Sequence, residues 1–170
     1  MIEGGKSNYI ITTAKENLET FTEKQQLFWN CFYDGKTDIG PIDRSMIDPL
    51  KMKSLLPSIW MGDLIFDDDQ KLVNVFVRLL GTNIANLYGE LTNSNLMSDD
   101  GENSYQRNFA GSYQRFLKSL DLLLETKQPV IVNADFVSNR KKYISSKGLL
   151  IPVCNNSSKI NMVIELLIFA

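Results

Sequence analysis

Ser58-Ile59-Trp60-Met61-Gly62-Asp63-Leu64-Ile65-Phe66, then Asp67-Asp68-Asp69-Gln70, then Leu72-Val73-Asn74-Val75-Phe76-Val77-Arg78-Leu79-Leu80 is the stretch on which the fold turns. Its period is two. Trp60, Leu64 and Phe66 fall on one side of the first segment, with Ile59, Met61 and Ile65 on the other. In the second segment Val73, Val75, Val77 and Leu79 oppose Asn74, Phe76 and Arg78. The short acidic connector makes the pair an antiparallel hairpin. The Asp67-Asp68-Asp69 run lacks the spacing and the glycine of a calcium loop, and reads as a solvated turn.

Working outward, Gly81-Thr82 launches a short helix, capped by Thr82 and stopped at Gly89. A polar stretch from Glu90 to Asn103 leads to the longest predicted helix, Ser104 to Thr126. On it Tyr105, Phe109, Tyr113, Phe116, Leu120 and Leu123 climb one face at steps of three and four. Val130–Val137, Tyr143–Val153 and Lys159–Phe169 follow as strands, joined by short polar connectors that include Asn139-Arg140-Lys141. In the other direction, Asp48-Pro49 reads as the start of a short helix through Leu56 that Pro57 ends. Ala14 to Asp34 reads as a helix with Leu18, Phe21, Phe28, Trp29 and Phe32 along its apolar side. That stripe serves either packing on its own domain or contact with a second subunit, and the pattern leaves both open. Residues 1 to about 14 read as a loosely held arm. Helices, two strands, helices, then three strands is an order that favours an antiparallel α+β fold.

Composition narrows the function. The 170 residues suggest one domain with appended helices, or two small ones. Hydrophobic residues make up 44% and charged residues 22%, an ordinary globular balance. Eighteen basic against twenty acidic residues, net charge -2, argue against a broad basic face for nucleic acid. The sequence contains no histidine, which excludes Ser-His-Asp and Cys-His catalysis and histidine-ligated zinc or haem. Cys31 and Cys154 form no CxxC pair and read as buried thiols of a reducing compartment. Met1 to Thr13 has no apolar run of signal-peptide length. Met162 to Ala170 is too short to span a bilayer and carries Glu165. A cytoplasmic protein without membrane attachment is the expectation.

The run Pro41-Ile42-Asp43-Arg44-Ser45-Met46-Ile47-Asp48-Pro49, then Leu55-Leu56-Pro57-Ser58-Ile59-Trp60, then Val77-Arg78-Leu79-Leu80-Gly81-Thr82 and Leu87-Tyr88-Gly89 resembles the PAS domains common as stand-alone proteins in alphaproteobacteria. One departure is that Leu91-Thr92 is followed by Asn93 where the family has glycine. The resemblance implies a five-stranded antiparallel sheet of order 2-1-5-4-3 with helices on one face and a pocket between. It divides the chain into an N-terminal arm and helical cap, residues 1–57, and a PAS core, residues 58–170. It marks Arg44, Asp48, Pro49, Arg78, Gly81, Thr82 and Gly89 as structural motif residues. It also implies a sensory or regulatory module, not an enzyme; a separate output protein, and a homodimer through the aromatic N-terminal helix, are expected beside it.

Four expectations follow for the site. Leu87, Tyr88, Phe109, Tyr113 and Phe116 are the pocket candidates, lining either a filled core or a cavity for a small apolar or amphipathic ligand. Arg44 and Asp48 anchor their loop by a charge-assisted hydrogen bond. Arg78 gathers with Asp63 and Glu165 on the sheet's other face, against the N-terminal helix or a second subunit. No flavin-photosensor cysteine helix, chromophore-attaching thiol or metal motif is present, so the cofactor is left unassigned. Two alternatives remain: a filled-core interaction adaptor, and an enzyme using Glu165 or Asp135 with a tyrosine.

Overall fold

The computed structural model describes residues 8–99, 104–138 and 140–170. Residues 1–7 of the expected arm, 100–103 of the polar stretch and Asn139 of the connector lie outside the described residues. In chain order the elements are β1 (Asn8–Thr13), α1 (Glu23–Tyr33), β2 (Ile42–Asp43), β3 (Ile59–Phe66), β4 (Leu72–Leu80), α2 (Thr82–Tyr88), α3 (Tyr105–Asn108), α4 (Ala110–Thr126), β5 (Val130–Val137), β6 (Tyr143–Cys154) and β7 (Ile160–Phe169). The fold is a mixture of helices with one largely antiparallel sheet.

Among the described residues the sheet has seven strands, not five. Its path is β1-β5-β6-β7-β3-β4, and β2 pairs with β6 off that path. The five expected strands form the contiguous run β4-β3-β7-β6-β5, and the full order differs because β1 and β2 are added. Asn8 to Thr13, expected as a loose arm, instead pair residue by residue with Asp135 back to Val130. Ile42 and Asp43 pair in parallel with Val153 and Cys154. Residues 8–57 thus give two strands to the same sheet as residues 58–170.

Helices cover both faces of the sheet, not one. On the first, Phe28, Trp29 and Phe32 of α1 pack with Ile59, Ile131, Leu149, Ile151 and Ile164. On the second, Ile84 of α2 and Phe116, Leu120 and Leu123 of α4 pack with Leu64, Val75, Leu150 and Val163. Alternate residues of β6 and β7 therefore enter different cores, as the strand period requires. Phe28, with no exposed surface, contributes about 2–3 kcal/mol by burial. Its ring meets Phe32 edge-on at 5.3 Å. The aromatic stripe is consequently spent inside the chain: Phe28, Trp29 and Phe32 are buried, Phe21 is half-buried beside Trp29, and only Leu18 is exposed.

The helix expected over Ala14–Asp34 is interrupted. A 3-10 segment spans Ala14–Thr20 with a non-helical Asn17, and Phe21 and Thr22 are extended before α1 begins. Side-chain competition for the backbone is the cause. Asn17 donates to the Thr13 carbonyl at 3.0 Å, and Thr20 donates to the Asn17 carbonyl at 2.8 Å. Thr22 then opens α1 with a capping box: its hydroxyl accepts from the Gln25 amide at 3.2 Å, and the Gln25 side chain accepts from the Thr22 amide at 3.0 Å.

The short helix expected after Asp48-Pro49 is a series of turns ending in a 3-10 segment, Leu56–Ser58, that contains Pro57. So few residues between two prolines cannot repay helix nucleation. Asp48 accepts from the Leu50 amide at 3.0 Å, and among the described residues no ion pair joins it to Arg44. Thr82 does not cap α2. Gly81 holds the cap position, with no side-chain bond, and Thr82 is the first helical residue. Gly81 is required there by close approach: its amide donates to the Ile59 carbonyl at 2.8 Å, and a Cβ would lie 2.3 Å from the Pro57 carbonyl oxygen. The Leu-Leu-Pro and Gly-Thr motifs thus meet in space. The long helix breaks at Phe109 (φ −134°, ψ 53°) into α3 and α4, with Ser104 capping α3.

The β3–β4 hairpin forms as expected, but two irregularities shift its register. Met61 faces Leu79 while Gly62 faces Val77, and Ile65 faces Asn74 while Phe66 faces Leu72. Arg78 and Val73 are the inserted residues, so the alternation slips at each end of β4. Leu72 and Leu80 turn into the second core, and Val73 and Leu79, expected on the inner face, stand 42% and 38% exposed.

Candidate functional site

Between the sheet and the α2–α4 layer lies a cavity of about 80 Å3. Trp60 on β3 and Glu165 on β7 are directly opposite in the ladder and both turn toward α4. Glu165 is 7% exposed, an uncommon place for a carboxylate. One hydrogen bond compensates: the Trp60 indole Nε1–H donates to Glu165 Oε1 at 3.2 Å. Burial still dominates, pushing the carboxyl up to about 7 from an ordinary 4.5, while the indole bond pulls the other way.

Two strand glycines make room for this pair. A Cβ at Gly62 would fall 2.7 Å from the Trp60 ring. A Cβ at Gly148 would sit 3.2 Å from the Val132 carbonyl oxygen and 3.4 Å from the Glu165 carboxyl carbon. The indole also meets Phe116 edge-on at 5.6 Å.

The helical wall supplies a polar stripe. Ser112, Arg115 and Ser119 recur on α4 at steps of three and four, beside the apolar Phe116. Arg115 is 5% exposed; its Nη2 donates to Ser112 Oγ at 2.8 Å, and its guanidinium lies 4.8 Å from the Phe136 ring centre. Tyr88 ties α2 to α4, its hydroxyl 3.1 Å from Ser112 Oγ. Ser119 Oγ donates to the Phe116 carbonyl and Ser146 Oγ to the Ala134 carbonyl, at 2.7 and 3.2 Å.

Of the pocket candidates, Tyr88 and Phe116 line the cavity. Leu87 and Phe109 instead face an outer groove with Arg140 and Lys142. Tyr113 is buried, its ring 6.0 Å from Tyr105, and does not line the cavity. Trp60, Glu165 and Arg115 were missed as pocket residues. The sequence did carry signals for them, namely a lone carboxylate in the most apolar run and the Ser112-Arg115-Ser119 stripe.

The expected Arg78 cluster is corrected. Arg78 pairs with Asp63 and lies over the Phe76 ring at 5.0 Å, but its side chain is 57% exposed. Glu165 faces the opposite side of the sheet, because Asp63 and Trp60 lie on strand positions of opposite parity. Among the described residues no group of three or more His, Cys, Asp or Glu gathers to hold a metal. Burial pushes the Cys31 thiol up, away from a reactive thiolate, and nearby Lys51 only partly offsets this. No helix among the described residues is long and apolar enough to cross a membrane.

No family model matches the chain, and no curated protein matches it in sequence. Among solved structures the chain is similar to an RNA-binding light-oxygen-voltage receptor, with a TM-score of 0.41 and 11% identity over 98% of this chain. The chain spans 39% of that receptor chain.

Proposed function

We propose that the protein is a PAS-like sensory or regulatory module, not an enzyme, that binds a small molecule between its sheet and α4 and signals through a separate protein. The observation that carries this reading is the cavity itself, apolar on most sides and holding one deeply buried carboxyl. Polar groups set into an apolar cavity are how small-ligand sites orient their occupants. The contiguous strands β4-β3-β7-β6-β5 support the PAS-like part, since they run in the order that the sequence motifs imply. A net charge of -2 supports a partner other than nucleic acid. A ligand that favours one arrangement of the α2–α4 layer over another would carry the signal through that difference in affinity. A cytoplasmic location and a homodimer belong to the same reading.

The second reading, an interaction adaptor, draws on the cavity's modest size and on the full burial of Leu120 and Leu123 beneath it. A native mass spectrum of freshly purified protein, set against its denatured mass, separates the two. An added mass lost on denaturation is expected. Bare protein at every charge state favours the adaptor, and a monomer removes the homodimer.

A further inference from the structure

The polar side chains on the cavity wall bond mostly to one another or to the backbone. Arg115, Ser112 and Tyr88 bond to one another across α2 and α4. Ser119 and Ser146 donate to backbone carbonyls, and the Trp60 N–H is spent on Glu165 Oε1. Oε2 of Glu165 accepts no hydrogen bond from a described residue. It belongs to a side chain more than nine-tenths buried, whose carboxyl faces the cavity beside the side-chain-free Gly148. A carboxylate oxygen that opens on an apolar cavity without a donor is poorly compensated, and a ligand donor there improves it.

We propose that Glu165 selects the ligand of this cavity, a small organic base whose N–H group binds Oε2 while its apolar body lies against the apolar wall that includes Phe116 and Leu167. This rests on the cavity being a ligand site, as proposed above. Two features favour a base over an acid or a neutral compound. Above about pH 7, where the carboxyl is ionised, the free atom is an acceptor, so the ligand must bring the donor. The indole bond to Oε1 favours the ionised carboxylate, which pairs best with a cation. The size limit is set by the volume: about 80 Å3 is smaller than the roughly 150 Å3 that accommodates benzene in an engineered cavity.

The test uses propylamine, 1-propanol and propionate, which share a chain length and differ in the head group. Each is titrated into isotope-labelled protein while the two indole N–H signals are followed by NMR. Trp60 reports the cavity, and Trp29, buried on the other face of the sheet, serves as the control. Propylamine is expected to shift Trp60 to saturation, to leave Trp29 in place, and to bind about tenfold or more tighter than propanol, the worth of one charge-assisted hydrogen bond. Propionate is expected not to bind. Glu165→Gln should abolish the preference for the amine while preserving propanol binding.

If the three compounds bind alike, or the preference survives Glu165→Gln, the role given to Glu165 is overturned and the cavity remains a ligand site. If none moves Trp60, the ligand-site reading itself falls. Should Glu165→Gln fail to fold, Gly148→Ala places a methyl against the carboxyl. It should weaken the amine more than the alcohol, and equal weakening overturns the proposal.

Discussion

Replacing Glu165 by glutamine should change how stability depends on pH more than it changes stability itself. The carboxyl titrates near 4.5 when exposed and at about 7 in the fold, because burial disfavours its charge. The folded state therefore holds a proton that the unfolded chain has released throughout this window. Stability falls as pH rises from 4.5 and levels off above 7. At about 1.4 kcal/mol per pH unit, ionising this group inside the fold costs about 3 kcal/mol. Glutamine keeps the shape, offers its own carbonyl to the Trp60 indole, and does not ionise. Urea unfolding of both proteins at pH 5 and pH 8 measures the effect. The stability of Glu165→Gln relative to the native sequence should improve by about 2–3 kcal/mol between the two pH values. The same stability difference at both would show that Glu165 is not desolvated in the fold, and the reasoning about its environment would be wrong.

Two further outcomes follow from the geometry of the sheet. Gly81→Ala should cost more than about 3 kcal/mol or prevent soluble expression, because its Cβ would meet the backbone of Pro57 at 2.3 Å and backbone cannot step aside; a thermal melt within a few degrees of the native protein would contradict this. Arg78→Ala should cost less than about 1 kcal/mol by urea unfolding, since the Arg78 side chain of the Arg78–Asp63 pair is mostly in solvent, and a larger loss would restore a structural role for that arginine.

Period-two alternation made β3 to β7 legible within a residue or two, because each strand separates two cores and writes that separation along its own sequence. What alternation cannot show is where it slips. The inserted Arg78 and Val73 exchange the faces of Leu79 and Leu80 and of Leu72 and Val73, and nothing local to β4 announces it. The strand Asn8–Thr13 was hidden for a related reason: it is defined by a partner at residues 130–135, and its own short Tyr-Ile-Ile core is too brief to show a period. Helix boundaries failed where Asn17, Thr20 and Thr22 turned their side chains onto the backbone. For the site, Tyr88 and Phe116 were found because aromatic spacing marks a buried helix face. Glu165 was assigned to the wrong side of the sheet because its face depends on its alignment with Trp60, which only the assembled ladder fixes.

The pairing of β3 with β7, Ile59 opposite Leu166, also governs how the chain reaches its native state. During synthesis the β3–β4 hairpin leaves the ribosome long before residues 160–169 exist to cover its open edge. Closure of that long loop, and of the β1–β5 loop, places the chain among slow-folding topologies. In the interval the bare edge is open to strand exchange with a second nascent copy. The Asp67-Asp68-Asp69 turn sets negative charge at the end of the hairpin, and two identical hairpins approaching there would repel each other.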